Sequence, residues 1–581
     1  MERGGSPPTR TSPPVGAEPS RSRSPVSQRP RVSVVTPVYN PPLDELAACL
    51  DSVDRQHGVT WEHILVDDCS PNSAVGGLLR GRSSARRDVV ARANNGGIVE
   101  ATNMAIERAV GEFVVFLDHD DVLAADALQT MVAAVDRHAR PARVGLVYSD
   151  HDLLRPDGRR ASPVYKPDRS PERLRNHNYI THLVAIRREL LTSLGGLRPG
   201  FDGAQDHDLL LRVMESDVDM VHVPHVLAHW RQSERSVAAD PDNKPMAYDA
   251  GVRAVQEHLD RAGVDGRVEP GAWPGVYRIR RRIEGRPTVS IVIPTAGVDG
   301  VVWGGRRRFV EDAVSSIARD SISACDLEYV VVLDTGADPA VRRHLVASAG
   351  DRVRIVDYDA PFNFADKVNR GAAVSSGEYL LLLNDDTELI EPESIDEMVG
   401  LAQIADIGMV GARLLFEDGT IQHAGHVYNH HIDHAFVGWP GDHPGPQRLL
   451  AVEREVGGVT AAAAMVRREV FDEVGGMSTA LAANYNDVDF SMRIRASGRR
   501  IVWTPHASWY HFESQTRSGT EQHAIAPAEL DALLERWGDS LWDDPYYNQN
   551  LADGRADWLE RPGRSGAPPY VVLDDGRVSW A

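Results

Sequence analysis

Residues 114–123 read VVFLDHDDVL, an apolar run that ends in Asp118, His119, Asp120 and Asp121 with no basic residue beside them. Three carboxylates in four positions repel one another, so the cluster needs a counter-charge. Asp118 and Asp120, one residue apart on a turn, can chelate one divalent cation. Oxygen ligands suit Mg2+ or Mn2+, which also bridge the oxygens of a diphosphate. Two plainer readings compete. An Asp after a strand often only caps the next helix. An apolar strand running into Asp118 also fits the nucleophile loop of an aspartate-dependent phosphohydrolase.

A second acidic pair, Asp206 and Asp208 in GAQDHDLLLR, opens an apolar helical run. A carboxylate there, across a cleft from a cation, could take a proton from an attacking hydroxyl. Asp208 is the one expected to hold the helix start or the arginine four residues on, Arg212. Farther along, His229 in AHWR offers an imidazole as a further metal ligand.

The chain itself helps to decide, because it is written twice. VSVVTPVYN from Val32 recurs as VSIVIPTAG from Val289, an offset of 257 (289 − 32). GEFVVFLDHDD from Gly111 recurs as GEYLLLLNDDT from Gly377 at an offset of 266, and QDHDLLLRV from Gln205 as NDVDFSMRI from Asn486 at 281. His229 is matched with His511 at 282. A smoothly growing offset marks two homologous domains separated by loop insertions, not a short-period solenoid. In the second copy Asn384 stands where Asp118 stood. An amide cannot be the phosphohydrolase nucleophile, whereas metal ligation survives that loss. Asp120 and Asp386 are the positions acidic in both copies, and Asp121 is expected to cap the following helix because Thr387 can do the same.

These residues need a scaffold that brings strand ends together. Residues 32–36, 63–66 and 113–117 have the β-branched, uninterrupted apolar character of buried strands. Between them Leu43, Leu46, Ala47, Leu50 and Val53 recur at helical spacing. Alternating strands and helices with apolar strands imply a mainly parallel sheet covered on both faces, with ligands at the strands' carboxyl ends. Asp67, Asp68, Asp118 and Asp120 all lie there.

Length and composition bound the rest. A chain of 581 residues, 42% hydrophobic and 25% charged, has room for two or more globular cores. The net charge of −21 argues against nucleic acid as a partner. Three cysteines without a CxxC pair exclude a structural zinc cluster and point to a reducing compartment. Cys69 is expected to be a small buried residue. No apolar run spans a bilayer, and the Ser/Pro/Arg-rich residues 1–30 lack the apolar core of a signal peptide and suggest a disordered tail. Domains are expected at 31–275 and 276–520. An extension over 521–581, with helical AELDALLERW and then DDPYYNQNL, should be packed on the second.

Together the motifs VSVVTPVYN, ILVDDCS, ANNGGIVEATNMA, GEFVVFLDHDD, QDHDLLLR and HWR resemble family 2 nucleotide-sugar glycosyltransferases. The second copy, with FNFADKVNRGAA, GEYLLLLNDDTEL, IQHAG, NDVDFSMR and WYHFES, resembles the rhamnosyl- and O-antigen-type branch. The resemblance implies an α/β fold of two consecutive GT-A domains, Rossmann-like with mainly parallel sheets. It implies inverting transfer from a UDP-, dTDP- or GDP-sugar to a saccharide or lipid-linked acceptor, with Mn2+ or Mg2+. Asp206 and Asp487 would be general bases. Asp118, Asp120 and His229, then Asp386 and His511, would hold the metal. Pro37, Tyr39, Asp68, Asn103 and Asp118 in the first copy, and Pro294, Asp334, Asn369 and Asp385 in the second, would line the donor site. Thr335 takes the place of Asp68 by motif, leaving base recognition to Asp334 or backbone. The expected setting is the cytoplasm, with peripheral contact at the inner face of the cell membrane. A sugar-nucleotide pyrophosphorylase is disfavoured because VSVVTPVYNPP lacks a Gly-rich, basic phosphate loop. A second domain reduced to a carbohydrate-binding scaffold stays open.

Overall fold

The structure, a computed structural model, describes residues 29–232, 245–512, 527–561, 570–572 and 578–580. Residues 1–28 of the N-terminal tail lie outside them. The first sheet contains β1 (Val32–Val38), β2 (Trp61–Asp67), β3 (Arg87–Ala91), β4 (Phe113–Phe116) and β5 (Val122–Leu123). It is completed by β6 (Val144–Leu154), β7 (Arg160–Val164), β8 (Val184–Arg187) and β9 (Asp219–Arg231). Their order is β3-β2-β1-β4-β8-β6-β9-β5, with β7 on β6. After a helix, Pro245–Ala262, a hairpin of β10 (Gly266–Pro270) and β11 (Tyr277–Arg281) leads to the second half.

That half opens with β12 (Thr288–Thr295) and a short hairpin, β13 (Asp299–Val302) and β14 (Gly305–Arg308). It continues with β15 (Asp326–Asp334), β16 (Val353–Tyr358), β17 (Tyr379–Leu383), β18 (Thr387–Leu389) and β19 (Ile407–Leu415). Next come β20 (Ile421–His423), β21 (His426–Tyr428), β22 (Ile432–His434), β23 (Arg454–Glu455), β24 (Ala463–Arg467) and β25 (Arg500–His511). The second sheet runs β16-β15-β12-β17-β24-β19-β25-β18, the first sheet's order strand for strand. The duplication read from the motifs is therefore a duplication of topology.

In both sheets the first strand lies at the point where chain order reverses. β1 pairs in parallel with β2 and with β4, but its pairing with β4 ends at Val35. Pro37 lies beyond that last pair, so its missing N–H costs no ladder bond on the β4 side. Pro294 in β12 does the same, since pairing with β17 ends at Val292. The splayed carboxyl ends leave a crevice, where open α/β sheets bind ligands. The glycine that opens each GEF or GEY motif is set by crowding. A Cβ on Gly111 would lie 2.6 Å from Ser33 N, and one on Gly377 2.7 Å from Ser290 N.

The two halves are joined by buried polar contacts. Arg281 of β11 pairs with Glu172 of the helix Pro171–Asn176 at 2.8 Å and with Glu453 at 2.8 Å. Arg500 of β25 reaches Glu172 and Glu455. The C-terminal extension does more than cover the second half. Its helix, Pro527–Trp537, sets Leu533 against Tyr428, Val488 and Met492. The following segment then crosses to the first half, where Asn548 Nδ2 donates to Asp150 at 3.0 Å and Asp168 N to Pro545 O at 2.8 Å. The extension packs on the second domain, as expected, and also clamps the first half.

Candidate active site

In the first half the acidic turn hangs from the end of β4 and is pinned to β1. His119 Nδ1 donates to Pro37 O at 3.2 Å, which gives that histidine a job the sequence left unexplained. Asp121 does not cap a helix. β5 follows it directly, and the next helix begins at Ala127 behind Asp126. Its buried carboxylate accepts Arg231 N at 2.9 Å and turns toward Asp118 and His182. Donor atoms from Asp118, Asp121 and His182 all lie within 4.8 Å of one another. Burial, then Asp118 and Asp120, push the Asp121 carboxyl well above its usual range. Burial also raises Asp120. The crowding can be relieved by a bound divalent cation, for which Asp118, Asp121 and His182 offer ligand atoms, or by protonation of a carboxyl.

The cluster opens on a cleft lined by Pro37, Thr102, Asp118, His182 and Asp206, among others. Asp206 comes from the first turn of the helix Gln205–Met214. Its Oδ1 accepts His207 N at 2.8 Å and its Oδ2 accepts Asn178 Nδ2 at 2.9 Å, so the carboxylate is oriented from both sides. Asp208 points away and pairs with Arg212 at 2.9 Å, as Asp489 does with Arg493 at 2.9 Å. Tyr39 is half exposed and is not among the residues that line this cleft.

The second half keeps the plan with different residues. Asp385, the counterpart of His119, again pins the turn to the first strand: Thr295 Oγ1 donates to it at 2.6 Å. Burial, then Asp386, raise the Asp385 carboxyl to about 7. His511 Nε2 lies 3.2 Å from Asp386 and 3.1 Å from Asn384 Nδ2, while its Nδ1 donates to Gln422 Oε1 at 2.6 Å. That tautomer turns the Nε2 lone pair toward Asn384 and Asp386, the way a ligating histidine is held by its other nitrogen. Asn384 Oδ1 is buried without a hydrogen-bond partner among the described residues. These groups also fit a cation. Asp487 accepts its neighbour Val488 N at 2.9 Å, as Asp206 accepts His207 N.

The expected pairing of His229 with His511 is corrected by strand register. With the acidic turns superposed, Val122 matches Glu388; Val122 pairs with His229, but Glu388 pairs with Tyr510. The structural counterpart of His511 is therefore Trp230. One residue along a strand exchanges faces. His511 faces the acidic turn, whereas His229 Nδ1 donates to Asp152 at 2.6 Å and stands outside the Asp118 cluster. His182, from a different loop, takes the place intended for it and has Trp230 against its ring, centroids 5.2 Å apart.

The donor-site expectations divide. Asn103 and Asn369 are engaged elsewhere. Asn103 Nδ2 donates to Leu197 O at 2.8 Å and its Oδ1 accepts Leu197 N at 2.9 Å. Asn369 makes the same pair with Met477, both bonds at 2.8 Å. Each clamps the Gly-Gly turn ahead of the helix that carries Asp206 or Asp487, so both ends of each amide are committed to that turn. Gly196, at φ +68°, and Gly476, at φ +67°, fit because a Cβ would strike the clamping amide at 2.5 and 2.6 Å.

Register also makes Asp334, not Thr335, the counterpart of Asp68, since Thr36 pairs with Leu65 and Ile293 with Val331. Both carboxylates have a cationic partner, Arg92 at 2.5 Å and Lys367 at 2.6 Å. Asp68 further accepts Gly96 N and Gly97 N at 3.0 and 2.8 Å, shaping the loop over the crevice. Lys367, buried and donating to Thr295 O at 2.9 Å, went unnoticed because the first half has Ala101 there. Cys69, expected to be buried, is exposed at the loop tip.

The family profile described as Glycosyl transferase family 2 matches residues 33–195 and 290–475. An uncharacterized protein, y4gI, of Sinorhizobium fredii is 38% identical over 549 residues, covering 91% of this chain and 58% of that protein. The O-antigen biosynthesis protein RfbC of Myxococcus xanthus is 35% identical over 535 residues, 90% of this chain and 40% of its own length. The chain thus spans about half the length of these relatives. A crystal structure of S. aureus TarS with UDP-GlcNAc aligns with 39% of this chain and 66% of its own at 19% identity and a TM-score of 0.33, a likeness too distant to argue from.

Proposed function

Because the chain belongs to glycosyl transferase family 2, we propose that it moves sugars from nucleotide-sugar donors to a saccharide or lipid-linked acceptor in building a cell-surface polysaccharide. The observation that carries the reading is the shared cleft at the sheet's reversal point, with Asp118 and His182 on one wall and Asp206 on the other. Asp118, Asp121 and His182, with Asp120 beside them, would hold Mn2+ or Mg2+, which neutralises charge on a departing nucleoside diphosphate. Asp206, fixed by Asn178 and its own helix, accepts the proton of the acceptor hydroxyl as that oxygen attacks the anomeric carbon from the opposite face. Asp68 and the loop it holds face the nucleotide. In the second half Asp386, His511 and Asn384 take the metal-holding part, Asp487 the base part, and Lys367 adds a cation near the phosphates. Among the described residues no helix is long and apolar enough to cross a membrane.

A second reading, in which only the first half is catalytic, draws on Asn384 in place of Asp118. One experiment separates them. Nucleoside diphosphate release is measured with UDP-, GDP- and dTDP-sugars for the wild-type chain, Asp206→Asn and Asp487→Asn, with plausible acceptors. Loss of ~100- to 10,000-fold in kcat for one donor with each variant supports two active halves. Full activity toward every donor in Asp487→Asn selects the second reading, and no release by the wild-type chain overturns both.

A further inference from the structure

The second half contains a group of histidines that the roles above do not use. His423 ends β20, His426 opens β21 and His434 closes β22, and the β21–β22 register sets His426 directly opposite His434. His423 Nδ1 and His434 Nδ1 are 3.0 Å apart, and one nitrogen from each of the three rings lies within 4.8 Å of the others. Two nitrogens on one tetrahedral ion at about 2.0–2.1 Å stand about 3.3 Å apart, so the trio needs little movement to close on a metal. His423 and His426 are buried and His434 half-buried.

We propose that His423, His426 and His434 form a second cation site, distinct from the Asp386 turn, which takes a zinc-class divalent ion beside Asp487. Three imidazoles without a carboxylate select Zn2+ or Co2+ over Mg2+ or Mn2+, which prefer oxygen. Three protein ligands leave a position open, the pattern of catalytic rather than structural zinc. His426 Nδ1 is 3.3 Å from Tyr428 Oη, which can accept a hydrogen bond from Nδ1–H and so leave Nε2 for the metal. Without metal, His423 Nδ1–H donates to His434 while Nε2 accepts Thr460 N at 3.3 Å. Loading moves that proton to Nε2 and gives up the long Thr460 contact. The site joins the two parts of the second cleft: Gln422, next to His423, holds His511, while Asp487 lies close enough to His426 to act on its titration.

The test uses tag-free full-length protein stripped with a chelator, reloaded with Zn2+ or Co2+ and desalted. About one equivalent per chain should remain, with the visible absorption of four-coordinate Co2+, and Zn2+ should raise the melting temperature. His434→Ala and His426→Gln should lose the equivalent, the absorption and the stabilisation, whereas Asp118→Asn and His182→Ala should keep all three. A wild-type chain that retains no metal overturns the proposal without any variant, as does retention by a folded His434→Ala or His434→Gln. The outcome is independent of the transferase reading: a bound ion without sugar transfer leaves this site standing and removes the other.

Discussion

At the residue scale the two histidines of the first half do opposite work. His182 stands 3.7 Å from Asp121 within the acidic cluster, while His229 is tied to Asp152. His182→Ala should raise the Mn2+ concentration for half-maximal turnover by ~10- to 100-fold, the order seen when support of a metal site is lost. His229→Ala should leave that concentration unchanged and lower stability by about 1–3 kcal/mol, because Asp152 is left buried with one partner fewer. A cation titration of donor turnover with each variant distinguishes them, and equal shifts would return His229 to the site. His182 was illegible in the sequence for a physical reason. It reaches the turn from a loop some sixty positions away, and the second half has no histidine in its place to mark it. Asp118, Asp120 and Asp206 were legible because a carboxylate at a strand end or helix start is positioned by local geometry alone.

At the element scale the strand–helix alternation, the duplication and the crevice could be read from apolar runs and recurring motifs, because each strand carries its own burial pattern. What could not be read was register. Matching His229 with His511 by motif was one residue out, and a strand converts one residue into the opposite face. Asn103 and Asn369 are a different case. Their recurrence was real, but it served the turn that aims the base-bearing helix. Asn103→Ala leaves Leu197 N and O without their partner and should cost about 1–3 kcal/mol by denaturant titration. It should also lower kcat for the first half's donor while KM for that donor stays within about twofold. A large rise in KM with kcat intact would put Asn103 back in the donor site.

At the scale of the molecule the two clefts are held in one body by a buried charge network, not by apolar contact alone. Glu172 from the first half, Arg281 from the connecting hairpin, and Glu453, Glu455 and Arg500 from the second meet away from water. Burial alone would raise Glu172, but Arg175, Arg281 and Arg500 hold it down at about 2. Glu453 is not so well compensated, and burial lifts it from 4.5 to about 7 in spite of Arg281. The folded chain therefore binds the Glu453 proton more tightly than the unfolded chain. Its contribution to stability is fully present below pH 4.5 and is lost as pH rises toward 7. Glu453→Gln should remove that decline from a plot of denaturation midpoint against pH. Arg281→Met, which strands two carboxylates in one dry pocket, should cost about 3–5 kcal/mol at pH 8, and less at pH 5 where protonation relieves them. A penalty independent of pH would mean that Arg281 acts through packing, and that its charge does not hold the two halves together.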